Sequence, residues 1–461
     1  MIYIIGAASV YLLQLLLKLD GEMTLILLLF VLFMLPFHQK RYTQYKEHQT
    51  RFLEVSMYLD TLLYAFAKEE KLDLAIRDVG LTLPQGKMKK LVEHAYVYMN
   101  TIFDDTEVIQ SALYLIEKEY PCRRMKDVHQ FLMHVEYYGG EIEKPVHLLL
   151  TDKNRWEQRI WRTIAERKKQ VTDVLLSVVA SLLICGAMVY LPIGDMDVSK
   201  EPFVSFCALL VIVIDELIIY RAQGYINVDW LQLQFAEDES YYIKKMAAFH
   251  NYDEKKERKL SLLLGIIGCV AVCVAWIAKK EWLVAGLIAV TLFFFQQHRI
   301  GRSLERKTLM KDIKYAFPNW LMDLVLLLQS ENVQVALEKS KEHVPGVLRR
   351  ELYLLTERLE IEPEASTPYH AFLQDFSMPE IHSAMSILYS ISIGNSGNAD
   401  RQISELVEKN LELLDVAEME KLRASSRGLY VLFLLPVVVA SFKLIVDMVF
   451  MMLYFIQMPS L

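Results

Sequence analysis

The stretch VEYYGGEIEKPVHLLL, residues 135–150, decides how this chain is read. A glycine pair, Gly139 and Gly140, divides an aromatic, amphipathic run from a second apolar run. Glycine pairs occur in phosphate loops and catalytic turns. They also occur in plain turns, because glycine adopts the positive φ that other residues resist. The choice depends on whether the stretch occurs once. It recurs, altered, as SISIGNSGNADRQISEL at 390–406, with Gly397 opposite Gly140 and Ser396 in place of Gly139. Neither copy carries the partners that a catalytic or phosphate-binding loop needs. The expected role is a tight turn between two helices.

Working outward, the flanks also recur. PFHQKRYTQYK (36–46) and FQQHRIGRSLERK (295–307) both follow apolar hairpins. SMYLDTLLYAF (56–66) corresponds to PNWLMDLVLLL (318–328), each with an Asp at a similar place. KLDLAIRDVGLTLPQGKMKKL then meets NVQVALEKSKEHVPGVLRREL. In these, Ala75 and Ala336, Pro84 and Pro345, and Leu91 and Leu352 each stand 261 residues apart. The separation is 257 at Gly140 and Gly397, so about four residues are lost between. Both copies end in a long charged helix, 152–172 and 401–427, that runs into an apolar segment. A repeat this long is a duplicated domain and not a solenoid unit. Its inner pattern is helical: Tyr58, Leu62 and Phe66 lie on one stripe, Leu59 and Leu63 on the adjoining one. Each copy reads as a compact bundle of about six helices.

Composition places these bundles at a membrane. The 461 residues are 54% hydrophobic with a mean hydropathy of +0.23, yet 23% are charged. Both figures hold only if charge and apolar residues are segregated along the chain. Seven apolar runs stand out: 2–17, 23–37, 174–193, 203–220, 260–278, 282–295 and 429–456. The third, fifth and seventh reach the roughly 20 residues that cross hydrocarbon; the first, second and sixth are short and lie in close hairpins. Lys40, Arg41, Lys46, the Arg159–Lys169 group, Lys255–Lys259 and Arg299–Lys307 all fall on one side, which is then the cytoplasm. Lys279 and Lys280 are exceptions. The start of the chain lacks a basic region and an A-x-A site, so no cleavable signal is expected.

The expected fold is therefore an all-α polytopic membrane protein with two tandem cytoplasmic bundles and about seven transmembrane helices. Its parts are a membrane hairpin (1–38), a first cytoplasmic bundle (39–171) and two membrane helices (172–220). A cytoplasmic linker (221–259), a second hairpin (260–296), a second bundle (297–427) and a C-terminal membrane helix (428–461) follow. The N-terminus is expected in the cytoplasm and the C-terminus outside.

This order resembles the type II secretion F domain of platform proteins in type IV pili, type II secretion and Flp (Tad) pili. The resemblance rests on the hairpin, the A-I or A-L helix with its proline-marked turn, the glycine turn (YYGG, GNSG) and the Leu-Pro membrane segments (YLPIG, LLPVV). It covers nearly the whole chain, as two units in tandem, TadB-like and TadC-like. The motifs are short, so order and duplication carry the likeness. It departs from a plain duplication at the ends: the first unit closes in two membrane runs and the second in one. The resemblance implies a non-enzymatic inner-membrane platform without cofactor. It also implies a cytosolic hexameric secretion ATPase, prepilin subunits and the bilayer as partners, with self-association in keeping.

Direct search for chemistry supports no catalytic, cofactor or metal residues. PQGKMKK (84–90) lacks the earlier Gly and the Ser/Thr of a phosphate loop. PIGDMD (192–197) has Pro192 where an aspartyl peptidase of pilus systems carries Gly, and Asp195 is expected outside. Five cysteines make no framework, and Cys269 and Cys273 have no further ligands nearby. A net charge of −7 argues against nucleic acid as a main partner. Charge inside the apolar runs is a functional signal by default. Lys443 and Asp447 stand i,i+4 in the last run. They fit a neutralised pair, a break between two helices, a contact for a pilin helix or a proton path. Asp215 and Glu216 are expected at the cytoplasmic end, near Arg221. Two other classes compete with the platform: a transporter, which wants polar groups on several membrane helices, and a membrane-tethered scaffold for a cytosolic signalling partner.

Overall fold

The computed structural model describes residues 2–101, 106–190, 201–231, 239–251, 254–277, 281–329, 331–394 and 399–457. Among the described residues every regular element is helical and no strand occurs. The helices are α1 (Ile2–Leu17), α2 (Gly21–Glu69), α3 (Leu72–Thr82), α4 (Lys87–Thr101), α5 (Thr106–Glu119), α6 (Arg123–Tyr138), α7 (Glu143–Val189) and α8 (Pro202–Gln223). They continue with α9 (Glu239–His250), α10 (Glu254–Ile277), α11 (Glu281–Leu327), α12 (Val333–Ser340), α13 (Gly346–Ile361), α14 (Thr367–Ala371), α15 (Pro379–Ser392) and α16 (Ala399–Gln457). Four of them are long and apolar enough to cross a bilayer: α2, α7, α8 and α16. At 16 residues α1 falls short of the usual span.

The apolar part of α16 is a single helix with no break at Lys443 or Asp447. Pro436 lies inside it, and membrane helices tolerate proline where neighbours satisfy the freed carbonyl.

The chain folds as two compact units. One is Met1–Glu136 with Leu149–Gln234 and Met419–Leu461; the other is Tyr137–Leu148 with Phe235–Glu418. The division does not follow the chain linearly, because α16 gives its first part to one unit and its apolar part to the other.

In the first unit the charged half of α2 buries Phe52, Val55, Leu59, Leu62, Leu63 and Phe66, a helical stripe. Each fully buried leucine contributes about 1.5–3 kcal/mol relative to exposure. Glu70 closes α2 in the left-handed region, its N–H donating to Phe66 O at 2.8 Å. Several polar groups inside this bundle are paired. Arg124 forks onto Asp152 at 2.7 and 3.2 Å, and His129 joins Tyr58 and Glu117, each at 2.8 Å. Lys153 is bound to both Asp60 and Glu157.

The apolar part of the same unit packs Val10, Leu27, Cys185, Ala208, Leu209, Ile212 and Ala440 together, from α1, α2, α7, α8 and α16. At Gly186 a Cβ would sit 2.8 Å from the Leu16 side chain, so only glycine lets α1 approach α7 this closely. Leu29, Phe33, Leu176, Leu183, Val438 and Phe442 are exposed. Apolar residues left outside in this number suit contact with lipid better than with water.

The second unit has its own core. Trp320 stacks on Phe372 at 5.8 Å and donates to Ser340 Oγ at 3.1 Å, with Leu337, Leu348, Leu352 and Leu388 fully buried around them. Asn332 caps α12 by accepting from Val335 N at 2.9 Å. α10 and α11 pack along each other as a hairpin.

Candidate functional site

In the first unit one buried charge lies where the charged part of α7 meets its apolar part. Arg167 of α7 is fully buried. Its guanidinium donates to Ser426 Oγ at 3.1 Å, to Ser425 Oγ and to the Tyr225 carbonyl at 2.9 Å. It also lies 5.0 Å from the Trp230 ring. Burial alone lowers its pKa from the ordinary arginine value. One side chain thus joins α7, the segment after α8 and the start of the apolar part of α16. Val174, Ile218, Ala222 and Leu429 close the apolar layer next to it. Gly428 belongs to the same joint, because a Cβ there would overlap the Tyr225 hydroxyl.

Deeper in the apolar layer, Lys443 and Asp447 of α16 form an ion pair, 1% and 2% exposed. α16 runs through both residues without a break between two helices. Asp447 Oδ1 has no hydrogen-bond partner among the described residues. Asp215 of α8 is also buried. Ser181 of α7 donates to its Oδ2 at 3.3 Å, and its Oδ1 is unpartnered. Buried Cys185 packs in the apolar cluster with Ala208, Ile212 and Ala440. Glu216, the next residue, turns elsewhere and pairs with His38 at 2.9 Å.

The turn glycines stand where two helices join. Gly139 has φ 71° and Gly140 φ 141°, between α6 and α7, with open space where either Cβ would be. Gly397 and Asp195 lie outside the described residues. Just after α15, Gly394 is left-handed, with φ 70°. Pro84 lies between α3 and α4, and Pro345 is the N-cap of α13, its carbonyl accepting from Leu348 N and Arg349 N.

Among the described residues no group of three or more His, Cys, Asp or Glu could hold a metal. The Tyr58–His129–Glu117 chain has the residue types of a proton relay, yet Tyr58 and His129 are wholly buried. Compared with family models, with curated proteins and with solved structures, the chain matches none.

Three substitutions test these sites. Arg167→Lys keeps the charge and loses the fork. The expected cost is about 1.5–3 kcal/mol, read as a lower unfolding midpoint in detergent; an unchanged midpoint would show that the fork does not hold the joint. Lys443→Met strands Asp447 in the apolar layer and should cost about 3–5 kcal/mol, whereas Lys443→Met with Asp447→Leu should restore near-parental stability. Equal losses in the single and double variants would refute the pairing. Gly140→Val meets no neighbour, so its cost is backbone strain of about 1–3 kcal/mol. Hydrogen exchange should show loosening confined to the α6–α7 turn, and unchanged exchange there would refute the strain.

Proposed function

We propose that this chain is a non-enzymatic membrane platform of a Tad or type IV-like pilus, or of a type II-like secretion machine. On this reading a cytosolic hexameric secretion ATPase docks on two helical bundles, and the platform passes its motion to prepilin subunits in the membrane.

One observation carries the reading: the order and spacing of helices recur along the chain. α12 begins 261 residues after α3 (Val333, Leu72), and α13 begins 259 after α4 (Gly346, Lys87). α15 and α16 begin 256 after α6 and α7 (Pro379, Arg123; Ala399, Glu143). That drift follows the shift from 261 to 257 in the sequence. Ala75 and Ala336 are both fully buried. We take this as a tandem duplication of one bundle. Each copy leads into a long helix, α7 or α16, that continues without interruption into an apolar segment. A continuous helix carries rotation or tilt from an aqueous domain into the bilayer, which is the physical requirement of the mechanism.

The proposal includes seven spans: the four long helices plus the apolar parts of α1, α10 and α11. It places the protein in the cytoplasmic membrane with the N-terminus inside, the C-terminus outside and both bundles in the cytoplasm. Self-association is compatible with it.

A second reading, ion-coupled transport, is favoured by Ser181, Asp215, Lys443 and Asp447, buried polar groups carried by three apolar helices. Gene deletion and detergent pull-down separate the two. The platform predicts lost surface filaments or secretion, with a secretion ATPase and prepilins recovered on the tagged chain. Normal filaments and secretion after deletion would sink the platform. Co-purification of neither partner, with loss of a solute uptake, would favour the transporter.

A further inference from the structure

A cavity of about 660 Å³ opens between α2 and the end of α8 in the first unit. It is lined by Phe37, Lys40, Arg41, Gln44, Tyr220 and Arg221, together with Gly224, Tyr225 and Asn227. Three cations face it and no carboxylate does. The nearby acids are engaged elsewhere, Glu216 with His38 and Asp229 with Arg51 at 3.2 Å. Arg41 is fixed in place: it donates to the Tyr220 carbonyl and lies over the Tyr220 ring at 3.5 Å. Lys40 and Arg221 are exposed at the rim. Asn227 Nδ2 donates to Gln44 Oε1 at 2.9 Å, which leaves the Gln44 amide group as a donor.

The C-terminus of α8 points the negative end of a helix dipole here, about half a charge. Its carbonyls are already taken: Tyr220 O by Arg41, Arg221 O by Gly224 N and Ala222 O by Tyr225 N. Three full positive charges outweigh what remains. The volume lies within the range of small-ligand sites.

Position selects the class of anion. The cavity sits where the apolar run of α2 gives way to Lys40 and Arg41. Phe37 on its rim packs against Tyr220 at 6.4 Å and against Phe33 at 5.2 Å, and Phe33, one turn further into the apolar run, is 61% exposed. An aromatic strip therefore leads from the cations into the apolar surface. A free phosphate uses the cations alone, whereas a phospholipid uses both features. We infer that this cavity binds the phosphodiester headgroup of an anionic phospholipid, its acyl chains lying along α2. The site requires only that α2 and α8 cross a membrane, and it stands whichever machine the chain belongs to.

The test is lipid retention by the full chain in nanodiscs of phosphatidylcholine doped with phosphatidylglycerol or cardiolipin, read by native mass spectrometry. Lys40→Gln with Arg221→Gln should lower retention of the anionic lipid about ten-fold or more, at the usual worth of a basic residue near an anionic surface. Lys90→Gln with Lys118→Gln makes the same charge change on exposed bundle positions and should leave retention unchanged. Millimolar inorganic phosphate should not displace the lipid. Equal retention in the two double variants, or displacement by phosphate, would overturn the assignment. If the first double variant melts below the parent, Arg221→Glu alone gives the same reading and should also lose the lipid.

Discussion

The Arg167 guanidinium is the interaction on which the first unit depends. Two segments from distant parts of the sequence converge on α7 there and together bring what an arginine fork can satisfy: two serine hydroxyls from α16 and a carbonyl from the segment after α8. A buried arginine is costly unless hydrogen-bonded on most sides. The same cost makes the joint selective. Slide α16 by one turn and Ser425 and Ser426 leave the fork, stranding the charge. The close fit of Gly428 under Tyr225 fixes the same register by shape, so polar and steric constraints agree.

Much of the helical pattern was legible in the sequence, because a 3.6-residue stripe such as Phe52–Phe66 and an apolar run such as 203–220 are local signals. Pairing at i,i+4 is local too, and Lys443–Asp447 could be named in advance. Arg167 could not. In the sequence it is one of five basic residues between 159 and 169, all read as marking a membrane side. Only packing selects it, through partners 58 to 259 residues away. The burial of Asp215 was hidden for the same reason, because its partner Ser181 lies on another helix. The left-handed Gly394 was not legible either, because the backbone conformation of a turn is not written in residue spacing.

The buried polar groups of the apolar layer differ in how well they are satisfied. Lys443 and Asp447 neutralise each other within one helix, so the pair adds little demand on its neighbours. Asp215 has a hydroxyl and no cation. A carboxyl group so placed imposes a constraint on α7 and α8 that apolar packing would not, since any rearrangement that removes Ser181 leaves it with less. The layer is thus specified by a few polar contacts on top of a large nonspecific apolar surface.

Three of the long helices carry an interior proline: Pro36 in α2, Pro318 in α11 and Pro436 in α16. Each lacks one backbone donor and crowds the preceding turn, so each is a place where a helix bends at low cost. α7 is different. Its one proline, Pro145, stands in the first turn, where no intrahelical bond is lost, and the following 44 residues contain none. At about 1.5 Å per residue α7 runs for roughly 70 Å without a proline beyond its first turn. α7, with Arg167 near its middle, thus lacks the interior proline that α2, α11 and α16 each carry.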